Sequence, residues 1–364
     1  MKTLLIDSSY LMYRSYFAYP NLTYNSQPVG AFFGFAKTIL QLLQAYKPDQ
    51  LIFAGDTSQP TWRHYNYPEY KAGRAKIENS MVAQIPLIQN WSAKITQNNF
   101  RLAGWEADDI IFTVAVQELT NYKSINQKKQ ATRIDKSKSN NLLKVETDLS
   151  FDGHVPVFGH QWSELLDEAN QKANSIYVFS SDRDLYQILH LANLKFINSN
   201  KGVLDEFGNS EFQTKYELDP LQWLDYKALV GDGSDNLKGV DGIGPKTATT
   251  FLQQVGSLYN FYKAVDMDNE TFLRTASGQW QGQCYLAQYL DNPKNQNLIT
   301  KLKDNHEIVK ITYTLSALML VPSMQFFTTG YDLTPGQVDL ENCGFKSLIT
   351  IQNKVQPVEQ EGLF

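Results

Sequence analysis

Cysteine and histidine are scarce in this chain. Its 364 residues contain two cysteines and five histidines. Cys284 and Cys343 are far apart in sequence, so they predict neither a disulfide framework nor a metal-ligand pair, and this usage fits a reducing cytoplasm. Long apolar runs are also missing, and an acid as early as Asp7 is atypical of a signal peptide. We therefore expect a cytoplasmic globular protein without a membrane segment.

An excess of positive charge is absent as well. The formal net charge is −5, from 33 Lys and Arg against 38 Asp and Glu. This balance argues at first against a nucleic-acid partner, because the nucleic-acid backbone is itself negative. The rest of the composition, 42% hydrophobic and 20% charged, is that of a folded protein with one large domain or two smaller ones.

What the sequence does contain is a repeated pattern of a buried strand followed by an aspartate. Residues 2–7 (KTLLID), 51–56 (LIFAGD) and 176–182 (IYVFSSD) are short apolar runs with an acid at the end. Helical segments separate them, so the pattern predicts parallel strands of an α/β sheet, whose ligands bind beyond the carboxyl ends of the strands. An aspartate there also serves as a helix N-cap, and both roles stay open at this point. The acids are Asp7, Asp56 and Asp182.

Six further acids stand in short clusters. GWEADDI places three in the first turn of an apolar helix, SSDRD adds one after the third strand, and the Gly-rich turn GDGSDN carries two. Acids in a first turn favour the helix macrodipole without any other function, and Asp-Gly turns are common. The six are Glu106, Asp108, Asp109, Asp184, Asp232 and Asp235.

Together the nine acids predict a site for divalent metal ions. Packing carboxylates together costs free energy unless a cation offsets their repulsion. Oxygen ligands without His or Cys suit Mg²⁺ or Mn²⁺ and argue against zinc. Nine ligands are too many for one ion, so we expect two or more, as in sites that clamp both oxygens of a phosphodiester displacement. Setting the nine acids aside changes the formal charge of the remainder from −5 to +4, which weakens the objection to a nucleic-acid partner.

The sequence GIGPKT at 242–247 predicts a tight hairpin between two helices. Gly242 and Gly244 let the backbone approach a phosphate, and the helix N-terminus at Lys246 and Thr247 offers free N–H groups. Two glycines before a helix are also ordinary helix punctuation. Their position directly after GDGSDN favours a metal centre placed against a nucleic-acid backbone.

Residues 60–78 mix cations with aromatic rings. Arg63, Lys71 and Arg74 lie among several rings that include Tyr70. Cations for phosphates and rings for bases are the composition of a groove for single-stranded nucleic acid. An amphipathic surface loop has the same composition and remains the alternative.

For two stretches the sequence supports only coarse predictions. Residues 120–174 interrupt the pattern of strands and helices. They contain a polar, lysine-rich segment, which we interpret as a flexible insertion that is either solvated or in contact with DNA. Asp219-Pro220 predicts the start of the helix that leads to GDGSDN, and 298–318 is the clearest helical stretch of the C-terminal part.

These segments resemble the 5′ nuclease (flap endonuclease) family, and most closely the bacterial 5′→3′ exonuclease domain fused to DNA polymerase I in many species. The resemblance covers most of residues 1–265, in the family's order, and the C-terminal helical part is similar more loosely. It is carried by LLIDSSYLMYRSYFA, VGAFFGFAK, DTSQPTWRHYNYPEYKAGR, GWEADDI, SSDRDLYQ and DYKALVGDGSDNLKGVDGIGPKTA. Two features depart from the family: no polymerase follows, so we expect a free-standing nuclease, and 73 positions separate Asp109 from Asp182, where the family has a short helix and strand.

The resemblance implies a PIN-like (Rossmann-like) α/β core with a mostly parallel sheet flanked by helices, a helical arch, and a helix–hairpin–helix (H3TH) subdomain that binds duplex DNA. It also implies metal-dependent hydrolysis of 5′ flaps, nicks or RNA-primed ends in replication and repair. One metal ion would be served by Asp7, Asp56, Glu106, Asp108 and Asp109. The other would be served by Asp182, Asp184, Asp232 and Asp235.

Basic and hairpin residues acquire roles from the same resemblance. The scissile phosphate and the 5′ strand would be held by Arg14, Arg63, Lys71 and Arg74. DNA would be contacted by Gly242, Gly244, Lys246, Thr247 and Tyr70, with K⁺ as a further ion at the hairpin.

The expected organisation has three parts. A nuclease core spans 1–190, with the arch at about 60–90 and the insertion at about 120–174; a DNA-binding helical region spans 191–350; a flexible tail spans 351–364. The tail ends in QEGLF, which resembles the Q-x-x-L-F peptide by which bacterial replication proteins bind the sliding clamp. Gln360, Leu363 and Phe364 would make that contact, unless the tail is merely apolar.

We expect a monomeric, cytoplasmic, nucleoid-associated 5′→3′ exonuclease and flap endonuclease. Two other functions are weighed against it. A PIN-like RNase would generally lack the arch and the hairpin element. An inactive clamp-tethered DNA-binding module would be expected to have lost carboxylates, and none is missing here.

Overall fold

A six-stranded sheet lies at the centre of the fold. The computed structural model describes residues 1–119, 174–200, 202–273, 284–322 and 324–355. The first eight strands are β1 (Lys2–Asp7), β2 (Thr23–Tyr24), β3 (Gln27–Pro28), β4 (Gln50–Ala54), β5 (Asn99–Phe100), β6 (Ser175–Phe179), β7 (Leu194–Asn200) and β8 (Val203–Phe207). In the sheet their order is β5-β4-β1-β6-β7-β8, and every pair is parallel except β7 with β8. Strands β2 and β3 form a separate hairpin.

The three strands predicted to end in aspartate form the middle of this sheet. Leu5 of β1 lies beside Ile52 of β4 on one side and Val178 of β6 on the other. Leu5 and Ile52 belong to the hydrophobic core on one face, whereas Leu4 and Leu51 belong to the core on the opposite face. Burial on both faces explains why these strands are unbroken apolar runs rather than alternating ones. The predicted α/β class with a mostly parallel sheet is confirmed.

Helices cover both faces of the sheet. The first six are α1 (Ser8–Ala18), α2 (Gly30–Tyr46), α3 (Trp62–Asn66), α4 (Asn79–Val82), α5 (Ile85–Ile95) and α6 (Ala107–Leu119). Helices α1, α2 and α5 share one core cluster, and α6 belongs to the other. Every residue of α6 after Asp108 is buried, so this helix lies inside the molecule.

The region predicted to form an arch contains short helices joined by turns. Residues 67–78, between α3 and α4, adopt no helix. Within them Lys71 has a left-handed backbone conformation (φ 57°), and its N–H donates to the carbonyl oxygen of Asp235 (3.0 Å). This part of the chain therefore folds against the acidic GDGSDN turn.

The chain after β8 is mainly helical. Its elements are α7 (Asn209–Tyr216), α8 (Trp223–Val230), β9 (Gly231–Asp232), β10 (Leu237–Lys238), α9 (Pro245–Val255), α10 (Leu258–Ala264), α11 (Glu270–Leu273), α12 (Leu286–Asp291), α13 (Gln296–Asp304) and α14 (His306–Ser316). Asp219 accepts the N–H of Leu221 (2.9 Å) at the predicted helix start. The helical stretch 298–318 is divided at Asn305, whose side-chain amide donates to the carbonyl of Lys301 (2.8 Å) and so competes with helical hydrogen bonds.

The last described residues return to the first core. Helices α15 (Gln337–Asn342) and α16 (Lys346–Gln352) contribute Leu340 and Leu348 to the cluster around α2 and α5, and Phe345 joins it from the turn between them. The ring of Phe345 contacts Phe32 and Phe33 with centroids 5.4 and 5.2 Å apart. The stretch that we predicted as one helical region up to 350 thus contributes to two cores.

Two predicted segments cannot be placed. Most of the basic insertion (120–173) and the end of the tail (356–364), including Gln360, Leu363 and Phe364, lie outside the described residues. In the parts of the chain that are described, no helix combines the length and the apolar character needed to cross a bilayer.

His190 makes the stability of the fold depend on pH. It ends a 3₁₀ helix (Asp184–His190), its ring Nδ1 contacts the carbonyl of Gln187, and burial lowers the pKa of the ring from 6.5 to about 4. Between pH 6.5 and 4 this ring is protonated in the unfolded chain but neutral in the folded chain. The free energy of unfolding is therefore highest above pH 6.5 and decreases as the pH falls towards 4.

We expect the His190→Leu variant to lose less free energy of unfolding than the wild type between pH 6.5 and 5, by about 2 kcal/mol. Urea unfolding at the two pH values measures the difference. Equal losses for both proteins would contradict the role of His190.

Candidate metal and phosphate site

Asp7 has two roles at the carboxyl end of the sheet. It is the last residue of β1 and also caps α1, since its Oδ1 accepts the N–H of Tyr10 (2.9 Å). Its Oδ2 accepts the hydroxyl of Ser180, which follows β6 (2.8 Å). The N-cap role that the sequence left open is therefore real, and it fixes the carboxylate at the edge where the central strands end.

Three more aspartates approach Asp7 from neighbouring elements. Asp56 follows β4 and accepts the N–H of Ala107 (2.9 Å), Asp108 lies in the first turn of α6, and Asp182 follows β6. Burial and then the charge of Asp56 raise the pKa of Asp7 to about 7, with a smaller contribution from Asp182. Burial and then Asp182 and Asp7 raise the pKa of Asp108, and desolvation raises that of Asp182.

These four carboxylates form what we call the open acidic group: Asp7, Asp56, Asp108 and Asp182. Among the described residues, none of the four is ion-paired with Lys or Arg. The charges of Lys227 and Lys71, which make no ion pair with these four acids, offset their mutual repulsion only in part. Such a site favours protons or a cation, and bound divalent metal would displace the protons.

A second set of acids is already paired with side-chain cations. Lys71 Nζ lies 2.8 Å from Glu106 and 3.7 Å from Asp235, and Arg74 lies 2.8 Å from Asp235. Burial opposes the charge of Glu106, but Arg63 and Lys71 outweigh it and lower its pKa to about 2. Lys71 and Arg74, both predicted to act on a phosphate, therefore lie among the acids, and the Arg74 side chain is 54% exposed.

Lys227 is a site residue that the sequence reasoning missed. It lies on α8, is only 5% exposed, and its ammonium contacts Asp184 and, at 2.6 Å, Asp232. Burial opposes the charge of Asp232, whereas Lys227 lowers the pKa of that carboxyl to about 2. The available signal was the single cation of α8, five positions before Asp232.

The acidic residues of the site are of the chemical type that binds a hard divalent cation. Carboxylate oxygens are the ligands that Mg²⁺ and Mn²⁺ prefer, and the open acidic group has no cation of its own. In the described parts of the chain, no three Asp, Glu, His or Cys side chains are placed to hold an ion as they stand. For Glu106, Asp184, Asp232 and Asp235, side-chain ammonium and guanidinium groups already occupy carboxylate oxygens.

Two predicted residues depart from their predicted roles. Arg63, expected to hold a phosphate, is 2% exposed, and Asp109, expected to bind metal, is 0% exposed. Their side chains form a bidentate ion pair with distances of 2.7 and 2.9 Å. A buried guanidinium engaged on all sides has no donor left for a phosphate. The four lone-pair positions of the Asp109 carboxylate are taken by Arg63 and by the N–H groups of Glu106 and Met319.

Tyr70 also departs from prediction, while Arg14 lies close to a strand. Tyr70, expected to contact DNA, is 3% exposed, and its hydroxyl lies 3.1 Å from Glu106 and 2.9 Å from Asp235. Its ring is therefore not available for stacking on a base in this structure. Arg14 donates to the carbonyl and hydroxyl oxygens of Ser199 on β7 (both 3.0 Å) and lies over the ring of Phe179.

The predicted hairpin has the expected backbone. Gly242 has φ 76°, a conformation that glycine adopts without strain, and Gly244 precedes α9, which begins at Pro245. Lys246 and Thr247 in the first turn are exposed. Outside the predicted set, Lys301 of α13 donates to the carbonyl of Asp241 (2.9 Å) and braces the turn.

Comparison with known proteins is consistent with this geometry. The family model described as the N-terminal resolvase-like domain of 5′-3′ exonuclease matches residues 2–128, and the model described as its C-terminal SAM fold matches residues 218–335. The chain belongs to the 5′–3′ exonuclease family. The predicted resemblance and the fold are thereby confirmed.

Curated relatives of this 5′–3′ exonuclease family member fall into two kinds. Thermostable DNA polymerase I of Thermus thermophilus is 31% identical over 272 residues, which cover 73% of this chain and 25% of the polymerase. A protein named 5′-3′ exonuclease from Mycoplasmopsis pulmonis is 28% identical over 268 residues, 74% of this chain and 71% of that protein. The chain thus matches about a quarter of the length of the polymerases.

Solved structures show the same fold at low identity. The T5 D15 protein co-crystallised with metal ions has a TM-score of 0.55 and 17% identity, with 98% of each chain covered. The T5 D15 flap endonuclease in a pseudo-enzyme-product complex with DNA and metal ions has a TM-score of 0.53, again at 17% identity and 98% coverage of each chain.

Proposed function

We propose that the protein is a divalent-metal-dependent, structure-specific 5′→3′ exonuclease and 5′-flap endonuclease. Its substrates would be DNA with 5′ flaps, nicks or RNA-primed ends, as arise in replication and repair. The observation that carries this proposal is the open acidic group, four carboxylates without a cation of their own, beside the exposed cation of Arg74 and the partly exposed Lys71.

Mg²⁺ or Mn²⁺ at this site would supply Lewis acidity and an activated water for phosphodiester hydrolysis. Asp7, Asp56, Asp108 and Asp182 are the carboxylates that we expect to hold the first ion. Asp184, Asp232, Glu106 and Asp235 would contribute to a second ion only if their cations, Lys227, Lys71 and Arg74, turn towards the substrate.

Lys71 and Arg74 are the side chains that we expect to bind a phosphate of the substrate. Lys71 and Arg74 lie on the turn between α3 and α4, next to the acids, and can donate hydrogen bonds to non-bridging phosphate oxygens as negative charge develops there. Their present partners, Glu106 and Asp235, hold both side chains near the site before a substrate arrives. The exposed α9 terminus, with Gly244, Lys246 and Thr247, would bind the phosphates of the duplex.

One assay separates this function from the two alternatives. A 5′-flap duplex, a single-stranded RNA of matched sequence, and a flap reaction without metal are incubated with the purified protein. We expect Mg²⁺-dependent cleavage at the flap and little cleavage of the RNA. Preferred cleavage of the RNA would favour a PIN-like RNase, and binding of the flap without cleavage would favour an inactive DNA-binding module.

The sequence of the C-terminal tail supports binding to a sliding clamp. QEGLF with Gln360, Leu363 and Phe364 has the pattern of a sliding-clamp peptide, and such a tether raises the local enzyme concentration at DNA. We expect deletion of residues 360–364 to leave cleavage of free flap DNA unchanged and to lower the affinity for a bacterial clamp by at least tenfold, about 1.4 kcal/mol. Calorimetry with the purified clamp measures this, and equal affinities with and without the tail would refute it.

Other details belong to the same proposal. K⁺ at the hairpin would use backbone carbonyls, of which Val240 and Asp241 already accept hydrogen bonds from the Ile243 amide and the Lys301 side chain. We also propose that the protein is a monomer. Its DNA substrate would place it in the cytoplasm, near the nucleoid.

A further inference from the structure

Residues 315–321 comprise the last two residues of α14 and the irregular chain that follows it, and five side-chain hydrogen bonds from other elements hold this stretch. We call it the 315–321 segment. Arg63 donates from Nε to the carbonyl of Leu315 and from a terminal nitrogen to that of Ala317 (both 2.8 Å). Asp109 accepts the N–H of Met319 (2.9 Å), and the Thr113 hydroxyl accepts the N–H of Val321 (2.8 Å).

The ion pair behind this segment leaves no capacity for another ligand. Arg63 donates four hydrogen bonds, two to carbonyls of the segment and two to the oxygens of Asp109, and forms an ion pair with Glu106 Oε2 at 3.2 Å. Asp109 is fully buried, and its oxygens bind Arg63 and Met319. Each residue of the pair therefore neutralises the other where water cannot reach.

The 315–321 segment touches the elements that carry the candidate metal ligands. Asp109 belongs to the first turn of α6, beside Asp108. Gln187 donates to the carbonyl of Ser316 (2.9 Å) from the 3₁₀ helix that starts at Asp184. One buried network thus joins the start of α6, the chain after β6 and the base of the turn that bears Lys71.

We infer that Arg63 and Asp109 are positioning residues: through the 315–321 segment they fix Glu106, Asp108 and Asp184 in place, and neither one binds metal or phosphate. The inference deepens the proposed function and rests on it for the identity of the ligands. It predicts that loss of either partner disturbs the metal site in the same way, because each loss leaves the other charge buried and unpaired.

Four variants test this role: Arg63→Met, Asp109→Leu, the double variant Arg63→Met/Asp109→Leu, and the milder Thr113→Val. The matched control is Thr38→Val, because Thr38 and Thr113 both donate to the carbonyl four residues earlier in their helix (2.8 and 2.7 Å), and only Thr113 touches the segment. The readouts are Mn²⁺ binding by calorimetry without DNA, thermal unfolding, and flap cleavage.

We expect each single change of the pair to weaken Mn²⁺ binding about tenfold, the effect of losing a residue that orients ligands, without changing the number of bound ions. The double variant should be less affected than the sum of the singles, since it removes both charges together. Thr113→Val should weaken Mn²⁺ binding by a smaller factor, and Thr38→Val should leave it unchanged.

The opposite pattern would overturn the inference. If Asp109 were a ligand, Asp109→Leu would lower the number of bound ions, while Arg63→Met would leave Mn²⁺ binding unchanged or tighter. If the pair variants do not fold, equal Mn²⁺ affinities of Thr113→Val and Thr38→Val would refute the role. Failure of the proposed function has a different signature: the wild type would neither bind Mn²⁺ nor cleave the flap. In that case thermal unfolding still tests the pair, because a double variant destabilised by the sum of the two single variants would disprove their coupling.

Discussion

The Asp182→Ala variant is expected to lose Mg²⁺-dependent flap cleavage by about 10²–10⁴-fold, since a catalytic ion supplies several kcal/mol of transition-state stabilisation. Asp182 belongs to the open acidic group, where its charge and that of Asp7 raise the pKa of Asp108 after burial itself. Removing it takes away an expected metal ligand and no contact to DNA. Binding of the flap duplex without metal should therefore be equal or tighter, because a negative charge is lost.

Single-turnover cleavage and fluorescence anisotropy with the same flap measure these two quantities. Asp205→Ala is the matched control, because Asp205 is an exposed aspartate of β8 outside the site. Unchanged turnover in Asp182→Ala would remove this residue from the metal site, and equal losses in both variants would point to a general effect of the substitution.

The Lys71→Met variant is expected to lower the turnover of flap DNA by about 10²-fold, the loss seen when one preorganised donor to a developing charge is removed. Lys71 Nζ is shared between Glu106 and Asp235 and is partly exposed, so it can turn to a phosphate without leaving the site. Methionine keeps much of the side-chain volume. Methionine and lysine have the same strain in the backbone conformation at φ 57°. The decrease in turnover is therefore due to the missing ammonium group.

The apparent KM should change little, because the contact is strongest in the transition state. Lys76→Met, an exposed lysine of the same stretch, serves as the control and should retain turnover. A fall in substrate affinity with unchanged turnover in Lys71→Met would show that Lys71 binds the ground state and does not assist the reaction.

Much of the fold could be predicted because its signals are local. Three apolar runs with an acid at the end were enough to place β1, β4 and β6 and to bring Asp7, Asp56 and Asp182 to one edge, since parallel strands end together. The N-cap at Asp219 and the left-handed Gly242 are likewise set within a few residues. Each of these depends on backbone preferences that a short window of sequence contains.

The assignment of individual charges could not be predicted in the same way. Arg63 lies 46 positions from Asp109 and more than 250 from the carbonyls of Leu315 and Ala317. Nothing near Arg63 in sequence distinguishes it from Arg74, which stays exposed. Lys227 was missed for a related reason: its partner Asp184 comes within reach only when α8 and the chain after β6 are brought together.

The return of the C-terminal helices to the first core has a consequence for synthesis on the ribosome. Phe345 packs on Phe32 and Phe33, and Leu340 and Leu348 join the same cluster, so α2 and α5 keep an uncovered apolar face until the end of the chain emerges. Contacts that span most of a sequence form late and slowly, because the intervening loop must first be closed. The core on this face of the sheet is thus completed last, and a chain stalled before α16 would expose an apolar surface that chaperones recognise.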